Sequence, residues 1–169
     1  MNVALLNAAR QSIATAPHRF CAAQWAFARN AEAVLRREAS PEGFRCCIAG
    51  HVLLETGQFG ERELLRTGGF HTGGGLWTHA AERLLLTEAQ GRELFFPSQW
   101  DRPHKQDYYL CSREEEADVA TTYIDYFLQK HEGRSSTPFG VEHDPKRVER
   151  EAHSIGRSSI EPVPAAREE

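Results

Sequence analysis

A thiol and an imidazole four residues apart, Cys47 and His51, are the first side chains here whose types and spacing suggest chemistry. On a helix they share a face. At a helix N-terminus, backbone dipoles and a nearby imidazolium lower a cysteine pKa and make a nucleophile. Cys47 and His51 are therefore the candidate catalytic residues, with Cys47 as nucleophile and His51, or a loop histidine such as His71 or His79, as base. The competing reading is structural. Free cysteine behaves as a small core hydrophobe, and His51 would be a hydrogen-bonded buried histidine.

Metal binding is a second chemical reading. Eight histidines and four cysteines could supply a zinc site built from Cys47 and His51 with His71, His79, His104 or Cys111. Neither a Cys-x-x-Cys nor a His-x-x-x-His pair is present, so no metal or cofactor is expected. Five glycines lie between Gly68 and Gly75 ahead of a helix, a place where phosphate can bind. The dinucleotide and P-loop patterns are both missing, which leaves a flexible connection as the simpler reading. Glu114, Glu115 and Glu116 suit the positive end of a helix dipole better than paired catalytic acids. Trp25, Trp77 and Trp100 are expected to anchor cores.

These residues need elements to position them. Cys47 and His51 belong to Arg45–Leu54, the longest apolar run in a polar chain. From Cys46 to Leu54 no face is polar, which describes a helix surrounded by other elements. Glu55-Thr56-Gly57 reads as its last turn with a glycine cap. Gly50 costs helix stability of about 1 kcal/mol relative to alanine, and close approach of another backbone would explain it.

Around this centre the spacing predicts amphipathic partners. Asn2 caps a first helix whose face is Leu5, Leu6, Ala9 and Ile13, ended by Pro17. A second helix is expected over Arg19–Ala39, with Phe20, Gln24, Phe27, Ala31, Val34 and Leu35 inward. A short helix lies around Glu61–Arg66. Leu76–Leu86 turns Trp77, Ala80, Ala81, Leu84 and Leu85 to one side. Thr87-Glu88-Ala89-Gln90 is a capping box that opens a helix to Phe96. Ser98–His104 reads as a loop anchored by Trp100. Ser112–Glu115 is a second capping box, opening a helix with Ala117, Ala120, Thr121, Ile124, Phe127 and Leu128 inward and Lys130 and His131 in its last turn.

The fold expected is mainly α: an irregular orthogonal helical bundle around a short buried central helix. It would occupy residues 1–133. Residues 134–169, rich in Ser, Pro, Glu and Arg, are expected to form a largely disordered tail, because they bury too little apolar surface to offset ordering entropy. A net charge of −4 over 169 residues, with basic residues scattered, gives no case for a nucleic-acid partner. No apolar run approaches the roughly 18 residues of a membrane helix. Met1–Ile13 has neither the basic opening nor the apolar core of a secretory signal. Adjacent Cys46 and Cys47 fit reduced thiols, so a cytoplasmic protein is expected.

The pattern as a whole includes Ile13…Pro17-His18-Arg19-Phe20 and Trp25, then Cys47-Ile48-Ala49-Gly50-His51. It continues with Ala81…Leu84-Leu85-Leu86-Thr87, Leu94-Phe95, and Pro97…Trp100. It resembles a set of small bacterial and phage-borne proteins of uncharacterised function, marked by a Cys-Ile-Ala-Gly-Trp/His segment. The resemblance spans Leu5 to His131. In those relatives a Cys-Gly-Thr often precedes the segment, whereas Glu42-Gly43-Phe44-Arg45 stands there in this chain. The resemblance implies one mostly helical domain and no known activity. Three functions are compatible: a non-enzymatic interaction or regulatory protein with a protein partner, a small cysteine-dependent hydrolase or transferase, and a structural zinc protein.

Overall fold

Asn2 starts the fold. Its side-chain oxygen accepts the Leu5 N–H at 3.1 Å and caps α1, Val3–Thr15. The computed structural model describes residues 1–37, 39–68, 70–71 and 74–132. The expected tail from residue 134 lies outside them. The remaining helices are α2 (Ala31–Arg37), α3 (Ile48–Glu55), α4 (Glu61–Thr67), α5 (Leu76–Arg83), α6 (Glu88–Phe95), α7 (His104–Leu110) and α8 (Glu116–Glu132). Two antiparallel pairs of very short strands complete the described residues: β1 (Ala26–Phe27) with β2 (Arg45–Cys46), and β3 (Phe70–His71) with β4 (Gly74–Gly75). The fold is mainly α, as the periodicity predicts.

Helix α3 is the centre. Ile48, Ala49, Gly50, His51, Val52 and Leu53 are all buried, and only the last turn of the helix, at Glu55, reaches water. It packs against α1 and α5, while α1 also packs on α8 and α5 on α6. Gly57, at φ +69°, ends the segment in a left-handed residue that glycine adopts without strain. Gly50 has the role its cost suggests. A Cβ there would lie 2.7 Å from Cys46 Cβ and 3.2 Å from the Trp25 carbonyl oxygen.

That close approach also explains the main departure from the sequence reading. Arg19–Ala39 is not one helix. Pro17–Arg19 forms a 3-10 turn, and Phe20 to Phe27 is irregular or extended before α2 begins at Ala31. Its backbone is taken up by the chain entering α3. The Cys21 N–H donates to the Cys46 carbonyl at 3.0 Å, and the Cys47 N–H donates to the Trp25 carbonyl at 3.4 Å. Ala26–Phe27 pairs with Arg45–Cys46, so the central run itself starts as a strand, and Cys47 is the N-cap rather than the second residue of a helix. Leu35, placed on the inner face by spacing, is 44% exposed.

The 98–104 segment also differs. A 3-10 turn at Pro97–Gln99 leads to α7, which carries no capping signal that the sequence could announce. Trp100 does anchor it. Its indole N–H donates to the Leu94 carbonyl at 3.2 Å, and its ring stacks on Tyr123 at 4.2 Å. The Thr87 capping box forms with both reciprocal bonds. In α8 every predicted inner residue is buried, and the helix proper begins at Glu116, after a turn held by the Glu115 carboxylate on the Ser112 N–H and hydroxyl, each at 2.8 Å.

The α5–α6 turn holds a local conflict. Leu86 N–H donates to Ala81 O at 2.9 Å and Leu85 N–H to Glu82 O at 3.0 Å. This is the paired bonding of a helix end that normally carries glycine in the left-handed position. Leu85 occupies that position at φ +56° and is 72% exposed, not on the inner face where the spacing places it. The left-handed geometry costs a residue with a Cβ about 1–2 kcal/mol. Leu85→Gly is expected to raise the unfolding free energy by up to about 1 kcal/mol, after allowing for the added freedom of glycine in the unfolded chain. Leu85→Ala, which keeps the Cβ, should stay within about 0.5 kcal/mol of wild type. A clear loss of stability in the glycine variant, measured by urea titration, would contradict the strain assigned to Leu85.

Candidate functional site

Cys47 is the N-cap of α3, with extended backbone and no side-chain capping hydrogen bond. The N–H groups of Gly50, Ala49 and Cys47 itself all favour the thiolate, yet desolvation is the larger effect and pushes the Cys47 thiol up from its ordinary range. The arrangement that activates a cysteine is therefore present in outline, and burial overrides it. Cys46 is raised much further, first by burial and then by Cys47 beside it.

His51 lies one turn on, 2% exposed. Its Nδ1 is 3.4 Å from Ser12 Oγ on α1, and the Phe20 ring packs against it with centroids 6.1 Å apart. Its Nε2 is buried without a hydrogen-bond partner of good geometry. Burial lowers its pKa to about 4; the Arg19 carbonyl opposes this and the Arg19 charge adds to it. The bond between the two is the helical one, from the His51 N–H to the Cys47 carbonyl at 3.0 Å, and neither side chain is among the causes of the other's shift. The sequence puts the two one turn apart at the start of α3, and both are buried. A neutral imidazole with a protonated thiol is the resting state of both.

The other residues considered do not gather around this pair. His79 sits on α5, with Nδ1 3.4 Å from Glu82 Oε2. His71 lies in β3. The His104 ring packs on Tyr123 and Tyr126, and the Cys111 thiol donates to the Tyr108 carbonyl at 3.2 Å. Cys21, Cys46, Cys47 and Cys111 are all unpaired. Among the described residues no three His, Cys, Asp or Glu side chains come together as metal ligands. Trp25 and Trp100 use their indole N–H groups on main-chain carbonyls, as core anchors do. Gly68 ends α4, and Gly74 and Gly75 form β4.

Two arrangements escaped the sequence reading. One is a polar network between α6 and α8. Lys130 bridges Glu93 at 2.7 Å and the Asp101 carboxylate, Tyr126 donates to Asp101 at 3.0 Å, and His131 Nε2 lies 3.2 Å from Glu93 Oε2. Lys130 is raised above its ordinary range, first by Asp101 and then by Glu93, while Asp101 is lowered, first by Lys130 and then by Tyr126. Its bonds join residues at least twenty-five apart, so no local spacing could reveal it. The other is an open groove of about 470 Å³ between α7 and α8, lined by His104, Asp107, Leu110, Glu115, Asp118 and Val119, among others. It needs α7, which the sequence reading did not foresee.

No family model, no curated protein and no solved structure matches this chain. Among the described residues no helix is long and apolar enough to cross a membrane.

The buried imidazole has a thermodynamic consequence. The unfolded chain protonates His51 near an ordinary 6.5, whereas the folded chain resists until about 4. Between those values the unfolded state binds more protons, so His51 lowers stability as pH falls. Its contribution is complete above pH 6.5 and is lost progressively toward pH 4, by about 3 kcal/mol in all. His51→Gln should remove that part of the pH dependence. Subtracting the two urea-derived stability curves between pH 7 and pH 4.5 isolates it from the carboxylates. Parallel curves would mean that the imidazole is not held neutral.

Proposed function

We propose that this chain is a non-enzymatic interaction protein whose Cys46–Leu54 segment is structural. The observation that carries this reading is the exposed apolar end of α7: Leu110 is 76% and Tyr109 61% exposed, beside an open groove. Large apolar side chains left exposed next to charged groups are a feature of docking sites. The residues best suited to catalysis support it from the other side. A nucleophilic cysteine needs thiolate character and access, whereas Cys47 is buried with its pKa raised. A general base needs a pKa near the working pH and reach to its proton, and His51 lacks both. The zinc reading has no assembled ligand set among the described residues.

A reducing compartment fits four unpaired cysteines, three of them buried, and we propose a cytoplasmic protein on that basis. The Cys-Ile-Ala-Gly-His segment points to a bacterial or phage-borne origin. The partner is a protein; basic residues are too scattered for nucleic acid to be the main target.

Thiol labelling tests the reading against its enzymatic rival. With iodoacetamide at neutral pH and site-resolved mass spectrometry, Cys111 should react first. Cys21, Cys46 and Cys47 should react at least about a hundredfold more slowly than a model thiol until denaturant is added, because a buried thiol reacts only through opening. Cys47 alkylation faster than the model thiol would overturn the proposal in favour of a cysteine-dependent hydrolase or transferase.

A further inference from the structure

The groove between α7 and α8 has two facing walls with helical spacing. His104, Asp107 and Cys111 line one; Glu115, Asp118, Val119 and Thr122 line the other. Each wall runs over eight positions, roughly 10 Å or two helical turns. The lining combines apolar and acidic groups. Leu110 and Val119 offer carbon surface, and Asp107, Glu115 and Asp118 surround it. Neighbouring cations do not neutralise these carboxylates. Lys105 donates to the Ser98 carbonyl at 2.7 Å, and Arg113 is held by Glu116 and by the Phe20 carbonyl at 2.6 Å. Neither Asp107 nor Asp118 has an ion-pair partner among the described residues. Glu115 is fixed in place by the Ser112 N–H and hydroxyl, which hold its carboxyl below the usual range. The negative field also registers on Cys111, whose thiol is raised by burial and then by Glu115.

We propose that this groove docks a short basic amphipathic helix of a protein partner, with apolar anchors on Leu110 and Val119 and Lys or Arg side chains against Asp107, Glu115 and Asp118. The proposal rests on the reading of the chain as an interaction protein and names the chemistry of its partner. Length, charge and carbon surface each select this occupant. Two turns accommodate a pair of anchors spaced three or four residues apart. Three carboxylates within one groove favour a cationic partner and disfavour an acidic one. The exposed leucine supplies apolar contact that a simple cation would not use.

The test uses the full chain and a fluorescein-labelled synthetic peptide of about fifteen residues, with two leucines four apart on an alanine, lysine and arginine background. Anisotropy should show binding that weakens as salt rises, and no binding of the counterpart with glutamate in place of the basic residues. Leu110→Ser should weaken binding about tenfold or more, with the circular dichroism spectrum unchanged because the side chain is 76% exposed. Asp107→Asn with Asp118→Asn should weaken it similarly and flatten its salt dependence. Glu55→Gln with Glu63→Gln removes the same charge from exposed positions on α3 and α4 and should change binding less than about twofold. Equal weakening by that control, or no effect of Leu110→Ser, would overturn the groove. So would sedimentation as a dimer that Leu110→Ser dissociates, since the occupant would then be a second copy. The two readings fail separately. Fast Cys47 alkylation would overturn the interaction reading whatever the peptide does. A peptide insensitive to Leu110→Ser, with Cys47 still protected, would overturn the groove alone.

Discussion

The missing side chain of Gly50 sets the spacing on which the rest of this fold depends. It lets α3 approach the Cys46 side chain and the Trp25 carbonyl, with 3.2 Å from that oxygen to where a Cβ would stand. The segment Phe20–Phe27 is then drawn into extended pairing with the chain entering α3, and α1 and α5 close over the helix. Six consecutive buried residues leave α3 no polar face. Burial on every side also opposes thiolate formation at Cys47. The same helix N-terminus that would activate Cys47 in an open cleft is overridden by desolvation when it points into packed carbon.

A second organising feature lies at the other end of the molecule. Lys130 holds Glu93 and Asp101 together, so the end of α8 is tied to α6 and to the segment after it by charge-assisted bonds rather than by carbon packing. Trp100 and Tyr123 stack just inside this network. Together they define the base from which α7 projects, with its apolar and acidic faces turned outward. The fold thus separates a buried centre that holds three of the four thiols from a charged periphery.

Much of this was legible in the sequence where the signals are local. Asn2 and the Thr87–Gln90 box act within one turn and the 117–128 stripe through repeated three- and four-residue steps, and each matches the observed helix. Gly50 could be read as a sign of close approach because its cost demands a compensating cause. The 19–39 helix failed because its apolar spacing is satisfied equally by Phe20 and Phe27 in extended backbone, and partners distant in sequence decide between the two. Leu85 failed because a helix-end motif placed it in a conformation its side chain resists. For the site, spacing identified Cys47 and His51 as neighbours on one helix. It could not say whether a cavity or solid core surrounds them, since that depends on α1 and on the Phe20 turn. The α7–α8 groove was illegible because α7 lacks capping residues and is stabilised by packing on α8.

The central claim is that α3 is a sealed structural core with no opening of its own. Native-state hydrogen exchange of the His51, Val52 and Leu53 amides tests this most directly, followed as a function of low denaturant. The account predicts that all three exchange only through global unfolding, with the same free energy and the same denaturant dependence as the whole molecule. Exchange through a smaller opening, well below the global free energy and nearly independent of denaturant, would contradict it by giving solvent and substrates a route to Cys47.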